Sequence, residues 1–164
     1  MVAATQSLTQ KYGIDAIDHE TRLRWVGLTD DDLQLIKASA EYLQPDAEDI
    51  AREFYDHSFK FAEFTAKINE AGSNRQTLEG AQKAYFLEMI EGRVDNAHFE
   101  RALYIGENHA RLDVKPRWNL GNYSTYAQII FPRLAQHLEG EELVNTILAF
   151  QGLPYPFSDP SDCP

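Results

Sequence analysis

The apolar positions of this chain recur at helical spacing in one segment after another. Leu33, Ile36, Ala40 and Leu43 fall three or four residues apart, which places them on one face of an α-helix. Later segments repeat this spacing, and none alternates apolar and polar residues as a strand would. The pattern therefore predicts an all-α fold with six or more helices.

Capping residues and prolines predict where these helices begin and end. Thr29 is a predicted N-cap, with Asp32 at the position that returns its hydrogen bond in a capping box. Pro45 ends this helix and suits the first turn of the next one, which runs to about Phe61. Residues 61–68 are predicted to form a corner with a helical turn. The remaining helices are predicted at residues 77–90, 96–112, 116–138 and 141–150, with a kink at Pro132 in the third.

One main domain is predicted, because the 164 residues contain no internal repeat and no long linker. Residues 1–27 are predicted to form a loose arm, with room for a short helical turn, and then a short pre-helix in which Leu23, Trp25 and Val26 cover part of the core. Residues 28–150 form the predicted main domain. Residues 151–164 hold four of the seven prolines and are predicted to be an irregular tail.

One histidine lies on the apolar face of a predicted helix. Ala102, Ile105, His109 and Leu112 share this face, so the His109 imidazole is expected to point into an apolar interior. A buried imidazole needs a hydrogen-bond partner or a metal ion. His109 is therefore either a core histidine bonded to a backbone carbonyl or a metal ligand, and its spacing alone leaves both open.

A tyrosine occupies the equivalent inward position on an earlier helix. Tyr55 belongs to an apolar arc with Ile50, Phe54 and Ser58, opposite the charged face of that segment. A buried tyrosine must satisfy its hydroxyl. The hydroxyl either bonds a backbone carbonyl or points at a ligand.

Composition narrows the class of partner. The net charge is −11, from 26 acidic and 15 basic residues, which argues against nucleic acid or an anionic membrane surface as the main partner. The chain has no apolar run long enough to span a membrane and no signal peptide at its start. Its single cysteine, Cys163, excludes an internal disulfide, and we predict a cytoplasmic protein.

The motifs of several common sites are missing from the sequence. No histidine pairs with cysteine at the spacing of a zinc site, and there is no paired Glu-x-x-His of a di-iron bundle. There is also no nucleophile elbow and no phosphate-binding loop. His19 and His137 are predicted to be solvated, and His57 to point away from Tyr55. An apolar-face histidine, an apolar-face tyrosine and 12% aromatic residues in an all-helical chain together make a haem site plausible.

The stretch around His109 strengthens that interpretation. Ile105-Gly106-Glu107-Asn108-His109, followed by Pro116-Arg117-Trp118 and Gly121, resembles the globin-coupled sensor and protoglobin family. In that family an Ile-Gly-x-x-His block carries the proximal haem ligand, and Pro-x-Trp opens the next helix. The sequence Glu53-Phe54-Tyr55, 54 residues before His109, resembles the block that carries the family's distal tyrosine.

The resemblance implies a globin fold with an N-terminal pre-helix and a shortened last helix, so residues 28–150 would be a globin sensor domain. His109 would be the axial ligand of haem b, and Tyr55 the donor to a bound diatomic gas, with dioxygen expected. The implied pocket lining is Phe54, Leu78, Ala81 and Trp118.

The resemblance also implies function and partners. The chain would be a gas sensor rather than an enzyme, would dimerise through its last two helices, and would signal to a partner in trans, as in aerotaxis. Two alternatives stay open: a globin-like interaction module without haem, and a stand-alone gas carrier of the protoglobin type.

Overall fold

The computed structural model describes residues 6–153, except for the side chains of residues 116, 119 and 120. This part of the chain is all-α and contains no strand, as the apolar spacing predicts. Its nine helices are α1 (Leu8–Lys11), α2 (Ala16–Val26), α3 (Asp30–Leu43), α4 (Ala47–Ser58), α5 (Ala62–Glu70), α6 (Arg75–Met89), α7 (Asn96–Arg111), α8 (Pro116–Leu134) and α9 (Gly140–Gly152).

Five of these helices, α1, α2, α3, α6 and α7, begin at short polar side chains that accept hydrogen bonds from free backbone N–H groups. Thr29 and Asp32 form the capping box that the sequence predicts at the start of α3. The Asn74 side chain accepts from the Thr77 N–H at the start of α6, and Asp95 accepts from the His98 N–H at the start of α7. Local chemistry thus sets where α6 and α7 begin, and both helices later contribute to the site.

The main core lies where α3 and α4 meet the later helices. α3 packs against α8 and α9, while α4 packs against α6 and α8. Ile36 and Leu43 of α3, Ile50 of α4 and Phe86 of α6 are completely buried. These are the inward positions of amphipathic helices, so their burial drives the assembly.

The N-terminal segment is more ordered than its composition suggests. Residues 8–11 form α1, which is the short helical turn allowed for in the predicted arm, and the pre-helix α2 begins at Ala16 because Asp15 caps it. Leu23 and Val26 pack against the main core, as predicted. Trp25 does not, since 87% of it is exposed.

Two further boundaries differ from the prediction. The corner predicted at residues 61–68 is a full helix, α5, which runs to Glu70. α8 continues past Pro132 and ends at Leu134, four residues earlier than expected. Pro132 has no backbone N–H to donate, but it lies in the last turn, so only one hydrogen bond near the end of the helix is lost. α9 ends at Gly152, close to the predicted end at Phe150. The predicted tail, residues 151–164, lies outside the described residues from position 154 onward.

Helix α1 is fastened to α7 through two carboxylates. Glu100 of α7 accepts hydrogen bonds from the Leu8 N–H (3.0 Å), the Thr9 N–H (2.7 Å) and the Thr9 hydroxyl (2.5 Å). Glu107, two turns later, accepts from Lys11 Nζ (2.5 Å) and the Tyr12 hydroxyl (3.0 Å). The N-terminal segment therefore holds α7 at both ends of its outer face.

A small second core supports the same contact. Ile14, Phe99 and Leu103 are buried together, and Leu8 and Tyr12 pack against them. α7 makes its most extensive helix contact with α1 rather than with the main core. Within the described residues, no helix is long and apolar enough to cross a membrane.

We predict that Glu100→Gln lowers the free energy of unfolding by roughly 1–2 kcal/mol, because one carboxylate serves three donors and hydrogen bonds to charged groups are the stronger ones. Equilibrium urea unfolding measures this change. Glu20→Gln on the exposed side of α2 is the matched control and should stay within about 0.5 kcal/mol of the parent.

The stability difference between the parent and Glu100→Gln should also depend on pH. Burial raises the pKa of Glu100, but the bonds from Thr9 and Leu8 outweigh it, so its pKa lies below the ordinary 4.5. A depressed carboxyl pKa stabilises the fold above the unfolded-state pKa, and this contribution is lost as pH falls through the folded-state value. The difference between parent and Glu100→Gln should therefore persist at pH 7 and shrink below about pH 4.5. An unchanged difference at pH 3 would contradict this account.

Candidate functional site

A cavity of about 580 Å³ lies between α4, α5, α6, α7 and α8. Its volume falls within the usual range for small-molecule and cofactor sites, roughly 300–1,000 Å³. Its lining combines aromatic and aliphatic side chains with a few polar groups. All six residues predicted from the sequence line this one cavity: Phe54, Tyr55, Leu78, Ala81, His109 and Trp118.

His109 contributes an imidazole in the last turn of α7. Its Nδ1 atom is shielded from solvent and has no hydrogen-bond partner within the described structure. The backbone carbonyl expected for an ordinary core histidine is therefore not bonded to Nδ1. Burial lowers the pKa of His109, so the ring is neutral at pH 7, which is the form that ligates metals.

Tyr55 reaches the cavity from α4, and only 8% of the residue is exposed. Its ring packs edge-on against Phe54, with the ring centroids 5.2 Å apart. No hydrogen bond joins its hydroxyl to any of the described residues. Burial raises the pKa of Tyr55, and the charge of Glu79 adds to the effect, so the hydroxyl keeps its proton.

The other predicted lining residues differ in their surroundings. Phe54 is buried in the main core and tilts against Tyr126, with centroids 4.8 Å apart. Leu78 is half-buried against the same core, whereas Ala81 is exposed at the cavity edge. Trp118 is half-buried and meets Phe61 edge-on at 5.2 Å. The cavity wall is thus continuous with the main core at Phe54 and exposed at Ala81.

Several lining residues were not predicted. Gln82 lies one turn after Leu78 on α6, and its amide donates to the Tyr126 hydroxyl from α8. The four-residue spacing from Leu78 to Gln82 places both on one helix face, so Gln82 could have been predicted to line the cavity. Its pairing with Tyr126 could not, because it depends on how α6 and α8 pack. Two more tyrosines line the cavity, and burial raises the pKa of Tyr85 and takes that of Tyr123 to about 12.

Of the predictions about the other histidines, the one for His137 is confirmed and the one for His19 is wrong. His57 is exposed, as expected off the inward arc, yet it also lines the cavity beside Phe61. His19 is not solvated, because its ring stacks on Phe99 at 3.9 Å and its Nε2 is buried without a partner. His137 is exposed and stacks on Tyr42 at 4.6 Å. For His19 the difference arises because its aromatic neighbour, Phe99, comes from a remote helix.

Comparison with known proteins agrees with the fold. The family model described as Protoglobin matches residues 15–153, which is most of the chain. The chain belongs to the protoglobin family. The match includes the pre-helix α2 and every helix that lines the cavity.

Two individual proteins are also similar to this chain. The heme-based aerotactic transducer HemAT of Halobacterium salinarum is 24% identical over 139 residues, covering 83% of this chain and 28% of the relative. The chain thus spans little more than a quarter of the length of that curated relative. The globin domain of the Geobacter sulfurreducens globin-coupled sensor superimposes with a TM-score of 0.72 at 19% identity, covering 84% of this chain and 88% of that chain. The globin fold predicted from the resemblance is confirmed.

We predict that Tyr55→Phe leaves the free energy of unfolding of the ligand-free protein unchanged within about 0.5 kcal/mol, because no hydrogen bond within the described residues is lost. Tyr126→Phe is the matched control and should cost about 1 kcal/mol, since its hydroxyl accepts from Gln82. Urea unfolding of both variants measures the contrast. If Tyr55→Phe lowers the free energy of unfolding as much as Tyr126→Phe does, the Tyr55 hydroxyl has a structural role instead.

Proposed function

We propose that this protoglobin domain binds haem b and senses a diatomic gas, with dioxygen as the expected ligand. The observation that carries the proposal is the aromatic-lined cavity, into which α7 presents a neutral imidazole with an unpartnered, buried Nδ1. The ring is therefore not committed as a core histidine bonded to a backbone carbonyl through Nδ1, and in this proposal it serves as the iron ligand.

The residues present fit a haem group. His109 supplies the one imidazole that the iron requires, and the apolar wall suits the flat macrocycle. When bound, haem would supply an iron centre that takes up a diatomic gas reversibly. Phe54, Leu78, Ala81 and Trp118 are proposed to line the ring, and the printed name of the relative HemAT supports the same cofactor.

Tyr55 is proposed to act on the gas. The residue is buried, and its hydroxyl is protonated and free to donate a hydrogen bond within the cavity. Leu78 has no hydrogen-bond donor in its side chain, so it cannot add a second hydrogen bond to the gas beside that of Tyr55. A hydrogen bond in a dry site is stronger than one in water, because the local dielectric constant is low.

The test is the visible absorption spectrum of the purified, reduced protein with and without dioxygen. We predict a Soret band that shifts when the gas is added. His109→Ala should lose most of this band, because its imidazole is removed from the cavity. His137→Ala, on the exposed stack with Tyr42, should keep it. Full retention of the band in His109→Ala would refute the ligand assignment, and no haem uptake by the parent would favour the interaction module without haem.

We further propose that residues 28–150 act as the sensor domain, preceded by an arm and pre-helix at 1–27 and followed by a tail at 151–164. The domain is not expected to have enzymatic activity of its own. It would transmit gas binding by a shift between two packings of its helices, either to a second copy or to a signalling partner in trans. The aerotactic role in the name of HemAT supports a signalling output.

The proposed homodimer uses the last two helices. On α9, Val144 and Leu148 lie four residues apart and are 54% and 56% exposed, so they form an outward apolar pair. A second copy of this chain would bury the same pair symmetrically.

We predict that Leu148→Glu shifts the protein to the monomer in sedimentation-velocity runs at increasing concentration. A charge placed in an apolar interface must be desolvated, which opposes association. Gln76→Glu adds the same charge to the exposed side of α6 and should leave the association unchanged. Equal association by both variants would place any dimer contact elsewhere.

A further inference from the structure

The charge of the cavity wall is opposite to that of the protein. The chain has 26 acidic and 15 basic residues. Among the described residues that line the cavity, however, there is no aspartate or glutamate, and the arginines Arg101 and Arg117 are the basic side chains besides the histidines. An apolar cavity with arginines at its wall suits a ligand that has an apolar body and anionic groups.

We infer that Arg101 and Arg117 recognise the carboxylates of a porphyrin, which for haem are its two propionates. This inference rests on the proposed function, and it adds the residues that hold the polar edge of the ligand. Arginine suits this task because its planar guanidinium bonds a carboxylate through two N–H groups.

Arg101 approaches the cavity from α7, eight residues before His109, which is about 12 Å along the helix axis. Its Nη2 pairs with Glu88 Oε1 at 2.7 Å, and the two side chains are 44% and 45% exposed. Its positive charge also acts on buried Tyr85, where it opposes the rise in pKa caused by burial. The guanidinium therefore lies between an outer carboxylate and the inner wall.

Arg117 approaches from the first turn of α8. Its Nη2 donates to both carboxylate oxygens of Glu63, each at 3.1 Å, and its guanidinium lies 5.6 Å from the centre of the Trp118 ring. Arg117 is 67% exposed and Glu63 is 50% exposed. Arg117 thus repeats the arrangement of Arg101 on a different helix.

Neither glutamate lines the cavity, whereas both arginines do. Exposed ion pairs contribute little to stability, so an arginine loses little by leaving its glutamate. A carboxylate on a bound ligand would be held nearer the low-dielectric wall, where the pairing is stronger. Each glutamate is therefore a weak competitor that holds the arginine in place until the ligand binds.

The experiment compares metal-free protoporphyrin IX with its dimethyl ester, with binding followed by porphyrin fluorescence. The free acid has two carboxylates and the ester has none, and neither contains iron, so His109 ligation does not contribute. Arg101→Gln and Arg117→Gln should each weaken binding of the acid on the order of tenfold and leave binding of the ester unchanged. Arg52→Gln, an exposed arginine of α4 paired with Asp49, is the matched control and should change neither.

Substitution of the two glutamates should change the affinity for the free acid in the opposite direction. Glu63→Gln and Glu88→Gln remove the competing carboxylates, so each should tighten binding of the acid and leave binding of the ester unchanged. A variant that merely disturbs the fold would weaken the binding of both porphyrins. Added salt should also weaken binding of the acid more than that of the ester.

The outcomes separate this inference from the proposed function. If both arginine variants bind the acid and the ester in the parental ratio, the inference is wrong even when the protein takes up haem. A change in that ratio for only one variant assigns the carboxylates to that arginine and overturns the role of the other. If the free acid depends on the arginines while His109→Ala keeps a full Soret band, the inference holds and the ligand assignment fails.

Discussion

The position of α7 is the constraint on which the site depends. α7 must present His109 while standing far enough from the main core to leave a cavity of about 580 Å³. A helix in that position has few core contacts to hold it, and α7 is instead fastened to α1 through Glu100 and Glu107. The small core around Phe99 supports the same contact. The contacts of α7 with the N-terminal segment thereby replace contacts with the main core that α7 cannot make across the cavity.

The polar groups in the cavity follow from the same separation. The Nδ1 of His109 and the hydroxyl of Tyr55 have no protein partner within the described structure, because the helices that would supply one are held apart. Neither side chain is committed to another part of the described protein, so both remain available to a ligand in the cavity. The absence of acidic residues from the described lining removes the repulsion that an anionic ligand would meet elsewhere on this acidic chain.

Much of this arrangement could be predicted from local patterns. Helical periodicity placed Ile36, Leu43 and Ile50 in the core, and capping chemistry placed the starts of α3 and α7. The prediction failed where remote neighbours decide burial. Trp25 has the composition of a core residue but is exposed, because α2 turns that side toward solvent. His19 was expected in solvent but stacks on Phe99, a neighbour 80 residues away in the chain.

The sequence by itself determined the helices, the face on which each inward residue lies, and the residue types able to hold a cofactor. These properties depend on spacing along one helix, which is a local quantity. Only the tertiary structure decided that His109, Tyr55 and Leu78 share one cavity, and that Arg101 and Arg117 line it while their glutamate partners do not. These relations depend on distances between helices that are remote in sequence, and such distances arise from packing of the whole chain.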